Sequence, residues 1–486
     1  MGKPRSVTLR HPSTIYKQII PVEGRVSDGS VRYASRSEPA RKARHLQLDL
    51  FESPRNGGGF RDPAFSENKT QPLHRWVPWI AGFSAQFVQD CFETFLTRRR
   101  KSKPRILDPF AGVGTTLVQA LLNGYDAVGF EINPYAALAT KIKLNSAKLD
   151  LERLQGYCRE YHAAVNKSPH VLERLRPSDF ETRIPFFSPS IEKQVLAFLD
   201  FVHAIPDAGV ADIFRLAFGS VMVSFSNYTY EPSLSSRPGA GKPLIEKADV
   251  HNVILTKLRE MMSDVRWIKE RLAGLPSVGE GQIHSSNFMQ SAELLPPRSV
   301  DLVVTSPPYM NNYHYVRNTR PQLYWLSLVG SPKDVRHLEE QNFGKYWQTV
   351  RDRAPIELTF EHLELSWTLA KLRQTREEKG SYGGPGWANY VAAYFNDCYR
   401  ALAVLRRLLV RGAASVVVIG NSIIQGHEMK TDLIMADIAV QVGLMVQGVQ
   451  QIRTKRVGAS ITKSAVRRGD VNKANLYESV VIIRRK

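Results

Sequence analysis

Two short stretches of this chain carry residues whose types and spacing could do chemistry. In "VDLVVTSPPYMNNYHY" (300–315) an apolar run ends in Thr305, Ser306, Pro307, Pro308 and Tyr309. Consecutive prolines fix φ and remove two backbone donors, leaving carbonyl oxygens available as acceptors. Ser306 adds a hydroxyl, and Tyr309 a flat face on which a planar ring can stack. Such a pocket suits a planar group bearing an amine. An exocyclic amine is a poor nucleophile because its lone pair is delocalised into the ring. Rigid acceptors that hold its hydrogens out of the ring plane localise that pair and aim it, so positioning and preorganised dipoles do most of the work. A proline-stiffened loop with a packing tyrosine is the plainer alternative.

The second stretch is "LDPFAGVGTT" (107–116). Gly112 and Gly114 let the backbone turn sharply off a strand and approach a ligand closely. A helix beginning near Thr115 offers free N–H groups. Glu131 follows Gly112 by 19 residues, at the end of the next strand, where an acid can accept both hydroxyls of a ribose. Together these features point to a nucleoside-containing cofactor, against the alternative of a tight turn with no ligand. The dinucleotide pattern is broken by Leu117 where a third glycine belongs, and a phosphate loop by Thr115 where a lysine belongs. "SSRPGAGKP" fails as a phosphate loop too, with Ser236 for its first glycine and Pro243 in the hydroxyl position.

The elements around these stretches read as an α/β chain. "RILDPF", the glycine turn, the helix "TTLVQALLN" closed by Gly124, the strand "DAVGFEI" and a helix capped by Asn133 with Pro134 at its first position open a doubly wound sheet. Upstream, Ser84 can cap a helix with Phe87, Val88, Cys91, Phe92 and Phe95 on one face. The expected organisation is a basic arm over 1–70, a first sheet segment over 71–149 and a helical insertion over 150–275. The sheet resumes over 276–314, a second insertion covers 315–388 and ends in the loop "GSYGGPGW", and the sheet is completed over 389–486. That last part holds the helix "YVAAYFNDCYRALAVLRRLL" and the strands "ASVVVIGN", "MVQGVQQI" and "ESVVIIRR".

Composition narrows the partners. With 486 residues and 43% hydrophobic content the chain can bury a large core, while a formal charge of +20 favours a polyanion such as nucleic acid. Cys91, Cys158 and Cys398 lie far apart, which argues against a disulfide framework or structural zinc, and no metal is expected. The first residues lack a secretory apolar segment. The loose myristoylation pattern of Gly2 and Ser6, with Pro4 inside it, reads as chance. No apolar run reads as long enough to span a bilayer, so a cytoplasmic protein with no membrane partner is expected.

"LDPFAGVGTT" resembles the cofactor motif of S-adenosylmethionine-dependent amino methyltransferases that act on DNA. "TSPPY" resembles their catalytic tetrad, in the Ser-first form typical of cytosine-N4 enzymes; adenine-N6 enzymes usually carry Asp there. Residues 74–95 resemble the helix before the cofactor motif, and "VVVIGNSII" with the final strands resembles the rest of the methyltransferase sheet. The resemblance implies a mostly parallel seven-stranded sheet and S-adenosylmethionine as cofactor. By it, Asp108, Pro109, Phe110, Gly112, Gly114 and Thr115 would line the methionine part, Glu131 would hold the ribose, and Ile132 would lie against adenine. Asn287 in "HSSNF" stands where the family commonly has Asp near the adenine amine. Ser306, Pro307, Pro308 and Tyr309 would receive the target base. Cytosine-C5 chemistry needs a cysteine nucleophile, and no cysteine lies near the tetrad or beside a proline.

A base inside a duplex must be flipped out to reach such a pocket, at a cost of a few kcal/mol. Candidate phosphate grips are the basic arm, "TRRRKSK" (97–103) and "RTKRVGASITKSAVRR" (453–468), with Arg453, Lys455 and Arg456. Candidate reading elements are "SNYTYEPSLSSRPGAGKP" (226–243), a loop with Arg237 and Lys242, and "MNNYHYVRNTRPQLYW" (310–325). The latter, with Tyr313, His314 and Arg317, is expected to close over the base. The leading expectation is a DNA amino methyltransferase, cytosine-N4 first and adenine-N6 second. RNA bases and protein glutamine remain open as substrates, as does a nucleic-acid-binding module on the same fold. A cognate restriction endonuclease or another defence-system component is a candidate partner.

Overall fold

The computed structural model describes residues 65–79, 82–96, 103–165, 176–230, 233–310, 314–455 and 476–486. Residues 1–64 of the expected basic arm, Tyr313, Arg456 and most of the two basic runs lie outside the described residues.

Eleven strands are described: β1 (Arg105–Asp108), β2 (Asp126–Phe130), β3 (Tyr228–Tyr230), β4 (Leu234–Ser236), β5 (Gly281–His284), β6 (Val300–Thr305), β7 (Leu409–Gly420), β8 (Ser422–Ile424), β9 (His427–Met429), β10 (Leu444–Lys455) and β11 (Leu476–Arg485). Seven form one sheet in the order β10-β11-β7-β6-β1-β2-β5. β5, β2, β1, β6 and β7 run parallel, and β11 runs antiparallel to both of its neighbours. This is a doubly wound, mostly parallel sheet. The central strands are apolar on both faces, as burial on both sides requires: every residue of β6 is buried.

Seven helices matter for the site: α1 (Ala85–Leu96), α2 (Thr115–Leu122), α3 (Pro134–Asn145), α4 (Leu151–Val165), α5 (Pro189–His203), α6 (Ala208–Val221) and α7 (Val250–Ala273). The Ser84 hydroxyl accepts from the Phe87 amide at 3.1 Å, and all five residues expected on the inner face of α1 are buried. Asn133 caps α3 by accepting from Tyr135 and Ala136.

Helices α4 to α7 leave the sheet after β2 and form a helical layer whose interior includes Tyr161, Phe198, Phe214, Phe218 and Met261. Contrary to expectation, Ala208–Phe225 is long and apolar enough to cross a membrane, with a mean hydropathy of 1.5. Here its apolar side chains fill that interior, while Asp212 and Arg215 pair at 3.2 Å on a more exposed side.

The layer is tied to the chain ahead of the glycine turn by one carboxylate. Asp264 of α7, 1% exposed, accepts from the Leu73 amide (2.9 Å), Trp76 Nε1 (2.9 Å) and both Arg75 Nε (3.1 Å) and a terminal guanidinium nitrogen (2.5 Å).

Two local expectations are corrected. "GSYGGPGW" is not a loop throughout: the helix Gly384–Leu408 begins inside it, with Pro385 in its first turn, where a missing N–H costs nothing. "SNYTYEPSLSSRPGAGKP" begins as packed structure, since Ser226 and Asn227 are buried and β3 pairs with β4.

Candidate active site

The two motifs lie at the carboxyl ends of adjacent parallel strands, β1 and β6, where open α/β sheets bind ligands. Side chains stitch them together. The Thr305 hydroxyl donates to Asp108 Oδ1 at 2.6 Å, and the Thr116 hydroxyl donates to the Val304 carbonyl at 3.1 Å. Asp108 is 1% exposed and sits beneath the turn, also accepting from the Phe110 amide; burial raises its pKa to about 6.

The glycine turn depends on its glycines. Gly112 and Gly114 have φ of +51° and +85°, and a Cβ on Gly114 would lie 2.8 Å from the Thr140 side chain. The Thr140 hydroxyl donates to the Gly112 carbonyl at 2.9 Å, and the buried Lys143 ammonium donates to the Val113 carbonyl at 2.9 Å. Glu131 takes the Gly112 amide on Oε2 (2.8 Å) and the Asn133 amide on Oε1 (2.7 Å). Burial nevertheless raises its pKa to about 7.

Above the turn lies a cleft enclosing about 880 Å³ of space, open solvent included. Pro109, Phe110, Gly112, Thr115, Glu131, Ile132, Asn287, Ser306 and Pro308 all line it; Asp108 and Gly114 support it from below. The sequence did not single out Trp79, Ser286, Tyr315, Asn342 and Phe343, which also line it. Trp79 stacks on Tyr315 (centroids 5.9 Å apart, 17° between planes), and its indole lies against Gly112. Asn287 is committed at both ends: Oδ1 accepts from the Met289 amide and Nδ2 donates to the Gln341 carbonyl.

A second cleft opens on the other side of the tetrad, with about 530 Å³ of open space. It shares Pro308, Asn342 and Phe343 with the first and is otherwise largely aromatic, with Tyr309, Tyr346, Trp347, Trp387, Tyr390 and Tyr394. His314 stacks on Tyr346 at 4.2 Å, and Trp347 on Trp387 at 5.1 Å. The Tyr309 ring rests on Gly420, where a Cβ would come within 3.0 Å of it. The Ser306 hydroxyl lies 3.5 Å from the Tyr309 hydroxyl, which also hydrogen-bonds the Glu478 carboxylate.

The expected nucleic-acid contacts fare unevenly. Arg453 pairs with the buried Glu478, so it braces the strand behind Tyr309 instead of presenting a free grip. Lys455 ends β10. Arg237 donates to the Pro243 carbonyl within its own loop, and neither it nor Lys242 lines either cleft. Arg317 is exposed and lines a separate groove with Arg320, Arg336 and Arg353; that groove and the aromatic cleft share Gln348. The described residues of the stretch 310–325 are mostly core: Val316, Leu323, Tyr324 and Trp325 are buried, and among the described residues His314, Tyr315 and Val316 reach the clefts. Residues 311–313, just after the tetrad, lie outside the described residues, and His314 and Tyr315 line the clefts.

No family model matches the chain. Among curated proteins it is similar to the type II methyltransferase M.BsoBI of Geobacillus stearothermophilus, at 22% identity over 434 residues covering 82% of this chain and 83% of that protein. It is similar as well to M.AvaI of Nostoc sp. strain PCC 7120, at 23% identity covering 82% and 84%. M.MjaII of Methanocaldococcus jannaschii is 33% identical over 119 residues, 24% of this chain and 22% of that protein. A solved rRNA methyltransferase, aviRa of Streptomyces viridochromogenes, aligns at a TM-score of 0.30 and 11% identity over 88% of this chain and 96% of that one, too loosely to bear on fold or function.

The residues present fit S-adenosylmethionine. Ser286 Oγ is a buried atom without a hydrogen-bond partner in the wall of the first cleft, and Glu131 lines the same cleft with acceptor capacity beyond the backbone amides it takes. With two motifs stitched side by side at one sheet edge, the chain is similar along four fifths of its length to type II methyltransferases.

Proposed function

We propose that the protein transfers a methyl group from S-adenosylmethionine to an exocyclic amine of a flipped-out DNA base, cytosine N4 in preference to adenine N6. The observation that carries this reading is the pair of clefts meeting across Pro308, Asn342 and Phe343, with Ser306 and Tyr309 at the junction. One cleft has the acid and glycine turn that a nucleoside cofactor needs; the other has the aromatic walls that a planar base needs.

Glu131 takes the ribose hydroxyls and Ile132 flanks the adenine, while Phe110, Gly112 and Thr115 border the methionine part. When bound, the cofactor supplies an electrophilic methyl group. The chain's own task is to present the amine. The amine hydrogens are received by the Ser306 hydroxyl and the Pro307 carbonyl, while the Pro308 carbonyl accepts from the Tyr394 hydroxyl at 3.0 Å. Tyr309, fixed by Glu478 at its hydroxyl and by Gly420 beneath its ring, sets the plane of the base. Aromatic walls exclude water from the reacting nitrogen. As the N–C bond forms and the methyl–sulfur bond breaks to leave a neutral thioether, the amine proton becomes acidic and is released to solvent by way of the Ser306 hydroxyl, so no strong base is needed.

Ser306 as the first tetrad residue supports cytosine over adenine. The charge of +20 supports a polyanionic substrate. The test incubates the protein with methyl-labelled S-adenosylmethionine and separate DNA, RNA and protein pools. Label on DNA is expected; label confined to RNA or protein would overturn the reading.

A further inference from the structure

We infer that Tyr394 is a positioning residue for methyl transfer, holding the tetrad, the cofactor turn and the second insertion in one register. This rests on the function proposed above. Tyr394 lies on the helix Gly384–Leu408 and is 1% exposed. Its hydroxyl donates to the Pro308 carbonyl at 3.0 Å and also faces the Met310 amide, so it clasps the backbone on both sides of Tyr309. The Met310 carbonyl is held from the opposite side by the Ser422 hydroxyl at 2.5 Å. A side chain that grips both neighbours of the stacking tyrosine fixes where that ring stands.

The Tyr394 ring carries the link further. Phe343 packs edge-on against it (5.5 Å, 80°), and Phe110 of the cofactor motif packs edge-on against Phe343 (4.9 Å, 66°). The turn bearing Phe343 is moulded to the same ring: Gly344 has φ +74°, and a Cβ there would fall 2.3 Å from Tyr394. Asp397, one helical turn on, accepts from the Gly344 amide at 3.0 Å and lies 3.8 Å from the Lys345 ammonium. Farther along the insertion, Asn389 and Asn396 of the same helix bond backbone groups of Val350, Arg353, Ile356, Glu357 and Thr359. The helix is thus a rail along which the insertion is docked, and Tyr394 is the point where rail, insertion and tetrad meet. Tyr394 contributes no proton and no charge. It sets the distance and angle between the methyl donor and the amine, a geometry to which rates are steeply sensitive.

Tyr394→Phe removes only the hydroxyl and keeps the ring against Gly344 and Phe343. The single-turnover methylation rate of preformed complexes on DNA should fall about tenfold to a hundredfold. Dissociation constants for S-adenosylmethionine and for DNA should stay within about twofold, and the melting temperature within a few degrees. Asp397→Asn, which keeps the side-chain shape while weakening the hold on the Gly344 turn, should give the same pattern at smaller amplitude. An unchanged rate in Tyr394→Phe overturns the inference. So does a variant whose melting temperature and both dissociation constants deteriorate along with its rate, since that is a structural role. A wild-type protein that labels no DNA overturns the proposed function and this inference with it.

Discussion

Lowering the pH from 8 to 6 should weaken S-adenosylmethionine binding about tenfold, and Glu131→Gln should remove that dependence. Burial raises the Glu131 carboxyl from 4.5 to about 7, the amides of Asn133 and Gly112 only partly oppose it, and the neighbouring Asp108 adds to the rise. A group titrating near 7 is about one tenth ionised at pH 6 and nine tenths at pH 8. The ionised form accepts the ribose hydroxyls more strongly, so affinity should follow that fraction.

The free protein should behave in the opposite sense. A carboxyl whose folded pKa is raised contributes its full stability below the unfolded value and loses it as pH climbs through the folded one. Ionising Glu131 without ligand therefore costs about 3 kcal/mol by pH 8. The pair of measurements is cofactor affinity by calorimetry at pH 6, 7 and 8, and thermal unfolding of the free protein across the same range. Lys143, buried and lowered to about 7, titrates in this window while holding the Val113 carbonyl, which is why the Glu131→Gln control is needed. A flat affinity in the wild type, or an equal slope in Glu131→Gln, would refute the assignment of Glu131 to the ribose.

Tyr309→Ala should leave cofactor affinity within about twofold and lower transfer at least about tenfold, the worth of one base–aromatic stack. Wild-type transfer rates in that variant would show that the base does not lie on this ring. Asp264→Ala strands the buried donors of Leu73 and Trp76 and the half-buried Arg75 guanidinium and should destabilise the protein by about 3 kcal/mol in urea unfolding. The Trp79 rim of the cofactor cleft lies three residues beyond Trp76, so affinity should weaken as well. A loss under about 1 kcal/mol would mean that Asp264 does not anchor this segment.

The geometry of the candidate site was legible where it is local. Glycines at positive φ, a proline pair at a strand end and an acid closing the next strand are properties of a few consecutive residues, and Gly112, Gly114 and Glu131 meet in one turn as their spacing implied. The strands and the α4–α7 layer were visible in periodicity, because burial on one side writes itself into every second or fourth residue. What the chain brings together from afar was not visible. Trp79 reaches the cleft from before α1, and Phe343 and Asn342 arrive from the second insertion. The one local signal for that turn was "NFGKYW", in which Gly344 marks a left-handed backbone among aromatics. Arg453 was misjudged because a basic run looks the same whether its members meet phosphate or a buried carboxylate; Glu478, 25 residues away, decides it. Of the stretch expected to close over the base, Val316, Leu323 and Trp325 are core, a share that its polar residues hide in the sequence.

The central claim is that an exocyclic base amine receives the methyl group. It is tested most directly by giving the protein DNA and S-adenosylmethionine carrying a deuterated methyl, digesting the DNA to nucleosides and weighing them. The account predicts deuterium in N4-methyldeoxycytidine. Deuterium in 5-methyldeoxycytidine, or in no nucleoside at all, would contradict it.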